Sequence, residues 1–274
     1  MGVPRLDKFF KGMRATDITT DRIRDYIEAG KTEGLTGSTI RRSLAVLRTM
    51  LNQARKEGKL RLADVPHFPM PKEGKARQGF VEPGVFESIR AALPENLRPL
   101  ITFIYFTGCR KGAAKRITWP MVAKDCCEIM LPGEITKSGE PLLLPLTGPL
   151  EQVASVLRKM FRTDGPVFDA TNLRKEWNTA CHSLGLGKYE NELYSGLTLH
   201  DLRRSAVRNL IRAGVSRGIA MQITGHKTEH VFERYNIVDT ADISEALIKV
   251  GEYAAKKNRS GDTKLIQKRS GGAD

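Results

Sequence analysis

TLHDLRRSAVRNLIRAGVSRGIAMQITGHKTEHVFERY, residues Thr198 to Tyr235, decides how this chain is read. At about 100° per residue, Leu199, Leu202, Ala206, Val207, Leu210 and Ile211 fall in one arc of about 180°, the pattern of a helix laid against a core. His200 and Arg203 fall inside that arc. A guanidinium keeps its proton, so turning it inward is costly unless an anion meets it there. Two readings of Arg203 stay open at this point: an anion-binding cleft, or a buried Asp or Glu partner. Ser216 is placed to cap a second short helix that ends at Thr224 and Gly225, which leaves His226 exposed in the following turn. A third short helix is expected to carry Tyr235. A cation, two imidazoles and a phenol on short connected helices suit phosphate chemistry better than packing.

Together these residues resemble the tyrosine recombinase, or phage integrase, family. The resemblance rests on a His-x-x-Arg box at His200-Asp201-Leu202-Arg203, a Gly-His box at Gly225-His226, and a tyrosine nine residues after that histidine, Tyr235. The run Arg234 to Asp239, RYNIVD, is similar to the family's tyrosine box. Each box alone is weak, and their order and spacing together are specific. Upstream, Thr107-Gly108-Cys109-Arg110 resembles the first arginine box, with Trp119 matching an aromatic that packs behind it. Thr136-Lys137-Ser138-Gly139 resembles the family's mobile hairpin, whose lysine reaches the active site. One position departs from the pattern: Ala113 stands where the family usually carries an acidic residue, which bears on how firmly that region is held.

The resemblance implies a site-specific recombinase that cleaves and rejoins DNA through a covalent 3′-phosphotyrosyl intermediate, without metal, ATP or other cofactor. It implies that Arg110 and Arg203 clamp the phosphate and that Tyr235 is the nucleophile. In the same scheme His200 takes the tyrosine proton, His226 donates to the scissile phosphate and Lys137 protonates the departing 5′ oxygen. Guanidinium forks match two phosphate oxygens and never lose their charge, so they fit this task. In-line placement of a nucleophile is worth about 7 to 11 kcal/mol, and each preorganised donor at the reacting phosphate about 3 to 4 kcal/mol. The expected partners are double-stranded DNA and further copies of the chain in a tetrameric synapse, joined through the last helix, with no membrane.

The rest of the chain sets the frame. At 274 residues it is long enough for two domains with cores. Lys plus Arg number 45 against 31 Asp plus Glu, a net +14 with a pI near 9.8, which favours a polyanion such as nucleic acid, although solvated lysine faces give the same sum. Cys109, Cys126, Cys127 and Cys181 lack C-x-x-C spacing, and with no signal-peptide core or long apolar run the expectation is a reduced, cytoplasmic location, prokaryotic nucleoid-associated or encoded by a phage or mobile element. The predicted fold is mainly α with a small antiparallel β-sheet (α+β).

Residues 1–64 are expected to form a helical core-binding domain, 65–79 a Pro-rich linker, 80–255 the catalytic domain, and 256–274 a basic, disordered tail. Thr19 or Thr20 would cap a helix bearing Ile23 and Ile27. Between Ser38 and Glu57, Ile40, Leu44, Leu47, Leu51 and Ala54 form an apolar stripe, flanked by Arg41, Arg48 and Arg55 at spacings of seven. That row either tracks a DNA backbone or snorkels at the edge of a core, and the resemblance favours DNA. Helices are expected over Glu82–Ala92, Glu95–Phe106, Leu150–Phe161, Leu173–Leu184 and Ile243–Ala255, and strands over Cys127–Leu131 and Leu142–Leu146.

Competing readings are a metal site at His226 and His230, which lacks the H-E-x-x-H order and a third ligand, a type IB topoisomerase, and a DNA-binding protein of the same fold with weakened turnover. His67 and His182 are expected to be loop and structural residues.

Overall fold

The computed structural model describes residues 3–72, 79–136, 139–235 and 240–259. The chain divides into two compact units, Met1–Arg77 and Gln78–Asp274.

The first unit is helical: α1 (Val3–Phe10), α2 (Thr20–Thr32) and α3 (Gly37–Lys56). Thr19 and Thr36 cap α2 and α3, their hydroxyls accepting from the N–H groups of Arg22 and Thr39. Ile23, Tyr26 and Ile27 of α2 meet Ile40, Leu44, Leu47 and Leu51 of α3 in one core. The two helices approach closely at Gly30, where an added Cβ would stand 2.8 Å from the Ile40 side chain. Phe68, in the stretch read as linker, is buried in this core, and the Thr20 hydroxyl donates to the carbonyl of His67 at 3.2 Å. The Pro-rich segment thus starts as part of the first unit. Residues 73–78 lie outside the described range.

The second unit starts with α4 (Pro83–Ala92), α5 (Arg98–Thr107) and the short α6 (Lys111–Ala114). The predicted hairpin follows as β1 (Glu128–Leu131) and β2 (Leu142–Pro145), paired antiparallel with Ile129 opposite Leu144 and Leu131 opposite Leu142. Lys137, in the connection between these strands, lies outside the described residues. Next come α7 (Glu151–Met160) and α8 (Leu173–Ser183), then a second antiparallel hairpin, β3 (Gly187–Glu190) and β4 (Leu193–Gly196). Sequence patterning does not predict this hairpin. Its strands are largely exposed and none of their residues is fully buried, and its two-residue turn uses Asn191 and Glu192, both at positive φ, in place of the Asn-Gly pair that marks such turns. The fold class therefore holds, with two small sheets among the described residues instead of one.

The chain then runs through α9 (Leu199–Arg212), α10 (Arg217–Thr224), α11 (Glu229–Glu233) and α12 (Thr240–Arg259). The core is built around α5, whose residues from Leu100 to Tyr105 are all buried, and α9 packs against both α5 and α10. Three expectations need correction. Tyr235 follows α11 instead of lying on it, its N–H donating to the Phe232 carbonyl at 2.8 Å. His226 is buried, 7% exposed, because the turn after Gly225 folds under α9 and Phe232 closes over it. The last helix continues through Lys256 to Arg259, so the segment read as a tail starts helical, and residues 260–274 lie outside the described range. Among the described residues, no helix is long and apolar enough to cross a membrane. All four cysteines are free thiols.

Candidate active site

The site is set by how α9 starts. Thr198 is its N-cap, and the Asp201 carboxylate reaches back to accept from the Thr198 N–H at 2.7 Å and its hydroxyl at 2.9 Å. Asp201 is fully buried, and its other oxygen accepts from Arg204 at 2.6 Å. This clamp fixes the first turn and with it the directions of His200 and Arg203. The sequence reading placed both inside the apolar arc. Only Arg203 is buried, at 2% exposed, while His200 opens to solvent at the rim.

Arg203 reaches three elements at once. One terminal nitrogen, Nη1, donates to the carbonyls of Gly108 and Thr224, the latter at 2.6 Å, and Nη2 lies 2.7 Å from Nε2 of His226. Gly108 and Thr224 are at the C-terminal ends of α5 and α10, where carbonyls without helical partners and the negative end of the macrodipole favour a cation. Glycine is required at 108. Its φ is +63°, and a Cβ there would lie 3.0 Å from the Thr224 side chain and 3.1 Å from Ala206.

The two open readings of Arg203 are thereby separated. Among the described residues no carboxylate pairs with it, so its charge is not neutralised by the protein, and its Nε is buried without a hydrogen-bond partner. Desolvation and the nearby Arg110 charge push the Arg203 guanidinium down from its ordinary value, yet an arginine remains a cation at any physiological pH.

Around it lies a cleft of about 720 Å³ whose wall includes Arg110, Arg174, Asn178, His200, Arg203 and Tyr235. Arg110 stands at the N-cap of α6, just past the α5 terminus. The Tyr235 hydroxyl is 3.2 Å from Nε2 of His200, and the Arg203 guanidinium carbon is 5.6 Å from the tyrosine ring centre. Desolvation, then the charges of Arg204 and Arg203, lower the His200 pKa below its usual 6.5. The imidazole is therefore neutral near pH 7, with a lone pair for a phenolic proton. His226 is not on the cleft wall. It sits behind Arg203, its ring 5.0 Å from that of Tyr235, and desolvation followed by the Arg203 and Arg110 charges pushes its pKa down to about 3.

Of the sequence-predicted site residues, the structure brings together Arg110, His200, Arg203, His226 and Tyr235. Lys137 lies outside the described residues. Arg41, Arg48 and Arg55 belong to the first unit, where Arg41 donates to the Pro71 carbonyl at 3.2 Å and Arg41 and Arg48 line a groove of about 450 Å³ on α3. Arg55 is half-buried on the same helix. Ala113 packs half-buried against the core, and Trp119 is buried in that core beside Phe161. Both nitrogens of His226 are engaged, Nε2 with Arg203 and Nδ1 with Thr224, which leaves neither for a metal shared with His230.

Sequence reasoning missed Asp201, Thr224 and a basic trough of about 550 Å³ lined by Lys111, Lys115, Arg174 and Lys175. The trough has no carboxylate in its lining and shares Lys111, Arg174 and Asn178 with the cleft. The capping box at Thr198 and Asp201 was the one signal that could have flagged the aspartate.

A mainly helical unit that holds an unneutralised buried guanidinium beside a phenol and a neutral imidazole has the makings of a phosphoryl-transfer site. The chain belongs to the phage integrase family: the family's model matches residues 83–241, more than half of its length. No curated protein matches it by sequence. Solved structures establish the fold. A lambda integrase dimer bound to a COC′ core site aligns with a TM-score of 0.68 at 18% identity, covering 86% of this chain and 70% of that one. The Tn1549 transposon integrase in complex with transposon right end DNA aligns at 0.66 and 15%, covering 90% and 92%. The XerH site-specific recombinase bound to a palindromic difH substrate aligns at 0.63 and 13%, covering 90% and 77%.

Proposed function

We propose that this chain is a site-specific DNA recombinase that cuts and rejoins strands through a 3′-phosphotyrosyl intermediate. One observation carries the reading: Arg203 is buried, anchored by carbonyls and an imidazole instead of a carboxylate, and its charge faces the cleft that holds the Tyr235 hydroxyl. Such a cation is a standing site for an anion, and family membership makes the anion a DNA phosphodiester.

Arg203 and Arg110 hold the nonbridging oxygens. The Tyr235 oxygen attacks phosphorus while its proton passes to Nε2 of His200, 3.2 Å away. The bond from phosphorus to the 5′ oxygen breaks, and Lys137 protonates that oxygen. His226 backs Arg203 from behind the cleft wall and holds its guanidinium toward the phosphate. Because the phosphotyrosyl link conserves the phosphodiester, attack by a 5′ hydroxyl reverses the step without ATP or a metal ion.

The first unit acts as the core-binding domain, with Arg41, Arg48 and Arg55 on the DNA backbone, and the second unit is catalytic. The structural relatives include a lambda integrase tetramer bound to a Holliday junction. A comparable assembly of this chain has a ready element in α12, where Ile243, Leu247, Ile248, Val250 and Tyr253 are all exposed. We place that helix on a second copy.

A nicked suicide substrate carrying the chain's own site tests the reading. A covalent adduct that disappears in Tyr235→Phe is expected. Tight binding without an adduct would instead make this a DNA-binding module, the outcome that Ala113 would explain. Efficient relaxation of supercoils lacking any site would point to a topoisomerase.

A further inference from the structure

The hydroxyl of Thr224 sits at a junction that the cleavage scheme does not use. Thr224 is 2% exposed, and its Oγ1 lies 2.7 Å from the Ala220 carbonyl and 2.7 Å from Nδ1 of His226. On the far side of the ring, Nε2 faces Nη2 of Arg203 at 2.7 Å.

Protons can be counted along this chain of groups. A guanidinium only donates, so Nε2 must accept. A neutral imidazole has one N–H, which therefore resides on Nδ1 and points at Oγ1. The Thr224 hydroxyl then has its own proton left for the Ala220 carbonyl. From Arg203 Nη2 to the Ala220 carbonyl each donor meets an acceptor, and no other assignment does this. An imidazolium would set N–H against N–H at Arg203, and the opposite tautomer would do the same. The charged and titratable groups facing the ring, Arg203 and His200 on α9, Arg110 beyond α5 and Tyr235 beyond α11, add two fixed cations and no carboxylate, which agrees with a neutral ring.

We propose that Thr224 is a positioning residue: its hydroxyl accepts the Nδ1–H that the Arg203 donor dictates, and so holds the His226 ring where Nε2 aims the Arg203 guanidinium into the cleft. In the resting site His226 is thus an acceptor that orients Arg203. A hydrogen bond from Nε2 to a phosphate oxygen requires the ring to take up a second proton from water as the anion enters. The inference rests on the recombinase reading for its consequence and on geometry alone for the tautomer.

The tautomer is read directly by ¹⁵N-edited NMR of the imidazoles in the full-length chain. Wild-type His226 is expected to show a protonated Nδ1 and an unprotonated Nε2, unchanged between about pH 5.5 and 8, a range entirely above its lowered pKa. Thr224→Val keeps the backbone carbonyl that holds Arg203 and removes the hydroxyl, so it should leave Nδ1–H without its acceptor and move the His226 resonances away from the wild-type pattern. Thr224→Ser should restore it. On a suicide substrate, Thr224→Val should slow adduct formation about a hundredfold, the scale of a misplaced reacting group, while DNA binding holds and Thr224→Ser recovers the rate. A wild-type His226 carrying its proton on Nε2, or titrating near its ordinary value, would overturn the proposal even if the protein cleaves DNA normally. A Thr224→Val chain that folds with His226 resonances identical to the wild type would do the same. Failure of the recombinase reading would leave the NMR result standing.

Discussion

Helix α9 buries two arginines five residues apart, each 2% exposed, and treats them differently. Near its start, Arg203 is met by helix-end carbonyls and a neutral imidazole. Nearer its end, Arg208 lies over the Phe80 ring, with its guanidinium carbon 3.5 Å from the ring centre and Nη1 3.6 Å from a Glu82 oxygen. Both arrangements solve the same desolvation problem. Only the first leaves a net charge behind. Dipoles stabilise a cation without cancelling it, whereas a carboxylate cancels it, so burial alone does not identify a catalytic arginine. The identity of the partner does.

The largest expected effect breaks this contrast at Arg203. A lysine at 203 keeps one positive charge but has no planar fork to span two carbonyls, an imidazole and a phosphate oxygen. Arg203→Lys should reduce adduct formation by about 10²- to 10³-fold, comparable to deleting a preorganised donor. DNA affinity, measured by filter binding, should change far less. Wild-type cleavage by Arg203→Lys would mean that charge alone suffices and that the fork geometry is incidental.

At Arg208 the expectation is reversed. Arg208→Met retains an apolar stem over Phe80 and removes the charge. Breaking a buried ion pair is costly, but Glu82 is 45% exposed and stays partnered by Arg212 at 3.1 Å. That moderates the loss to about 1 to 2 kcal/mol once solvent screening is allowed for. Chemical denaturation should show this drop, while adduct formation at a temperature where both proteins are folded should be little changed, because Arg208 is not on the cleft wall. A folded Arg208→Met protein without activity would show that the two ends of α9 are not separable.

The sequence carried the reactive groups further than their surroundings. His200 and Arg203 are legible from the helix period around them, whereas Arg110 and Tyr235 stand out only through the resemblance of their boxes to the family's. The partners of Arg203 are not legible. They are backbone carbonyls delivered by the ends of α5 and α10, and no side-chain pattern announces a carbonyl. His226 follows a left-handed glycine, a position that commonly faces water, and only the packing of Phe232 makes it buried. Thr224 reads as an ordinary last helical residue until tertiary structure places an imidazole against its hydroxyl. The β3–β4 hairpin escaped because its strands bury little and its turn lacks glycine.

The smallest expected effect lies in the trough, and it sharpens the comparison by adding a third way of handling cations. Lys111 and Lys115 come from α6 and the residue after it, Arg174 and Lys175 from α8, so the cluster exists only once these distant segments meet. Among the described residues none of the four has an ion-pair partner, unlike most arginines on this unit, and none is buried as Arg203 is. Their charges are solvated and need no compensation, so they suit a polyanion that displaces counterions. If the DNA backbone leaves the cleft along this trough, Arg174→Gln and Lys175→Gln should each lower the slope of log affinity against log salt by about 0.9. The loss should be uniform across DNA sequences, because phosphate contacts position without reading bases. Adduct formation at saturating DNA should change little for Lys175→Gln and more for Arg174→Gln, since only Arg174 also lines the cleft. A slope left intact in both variants would take the strand off this face and leave the trough a solvated edge of α8.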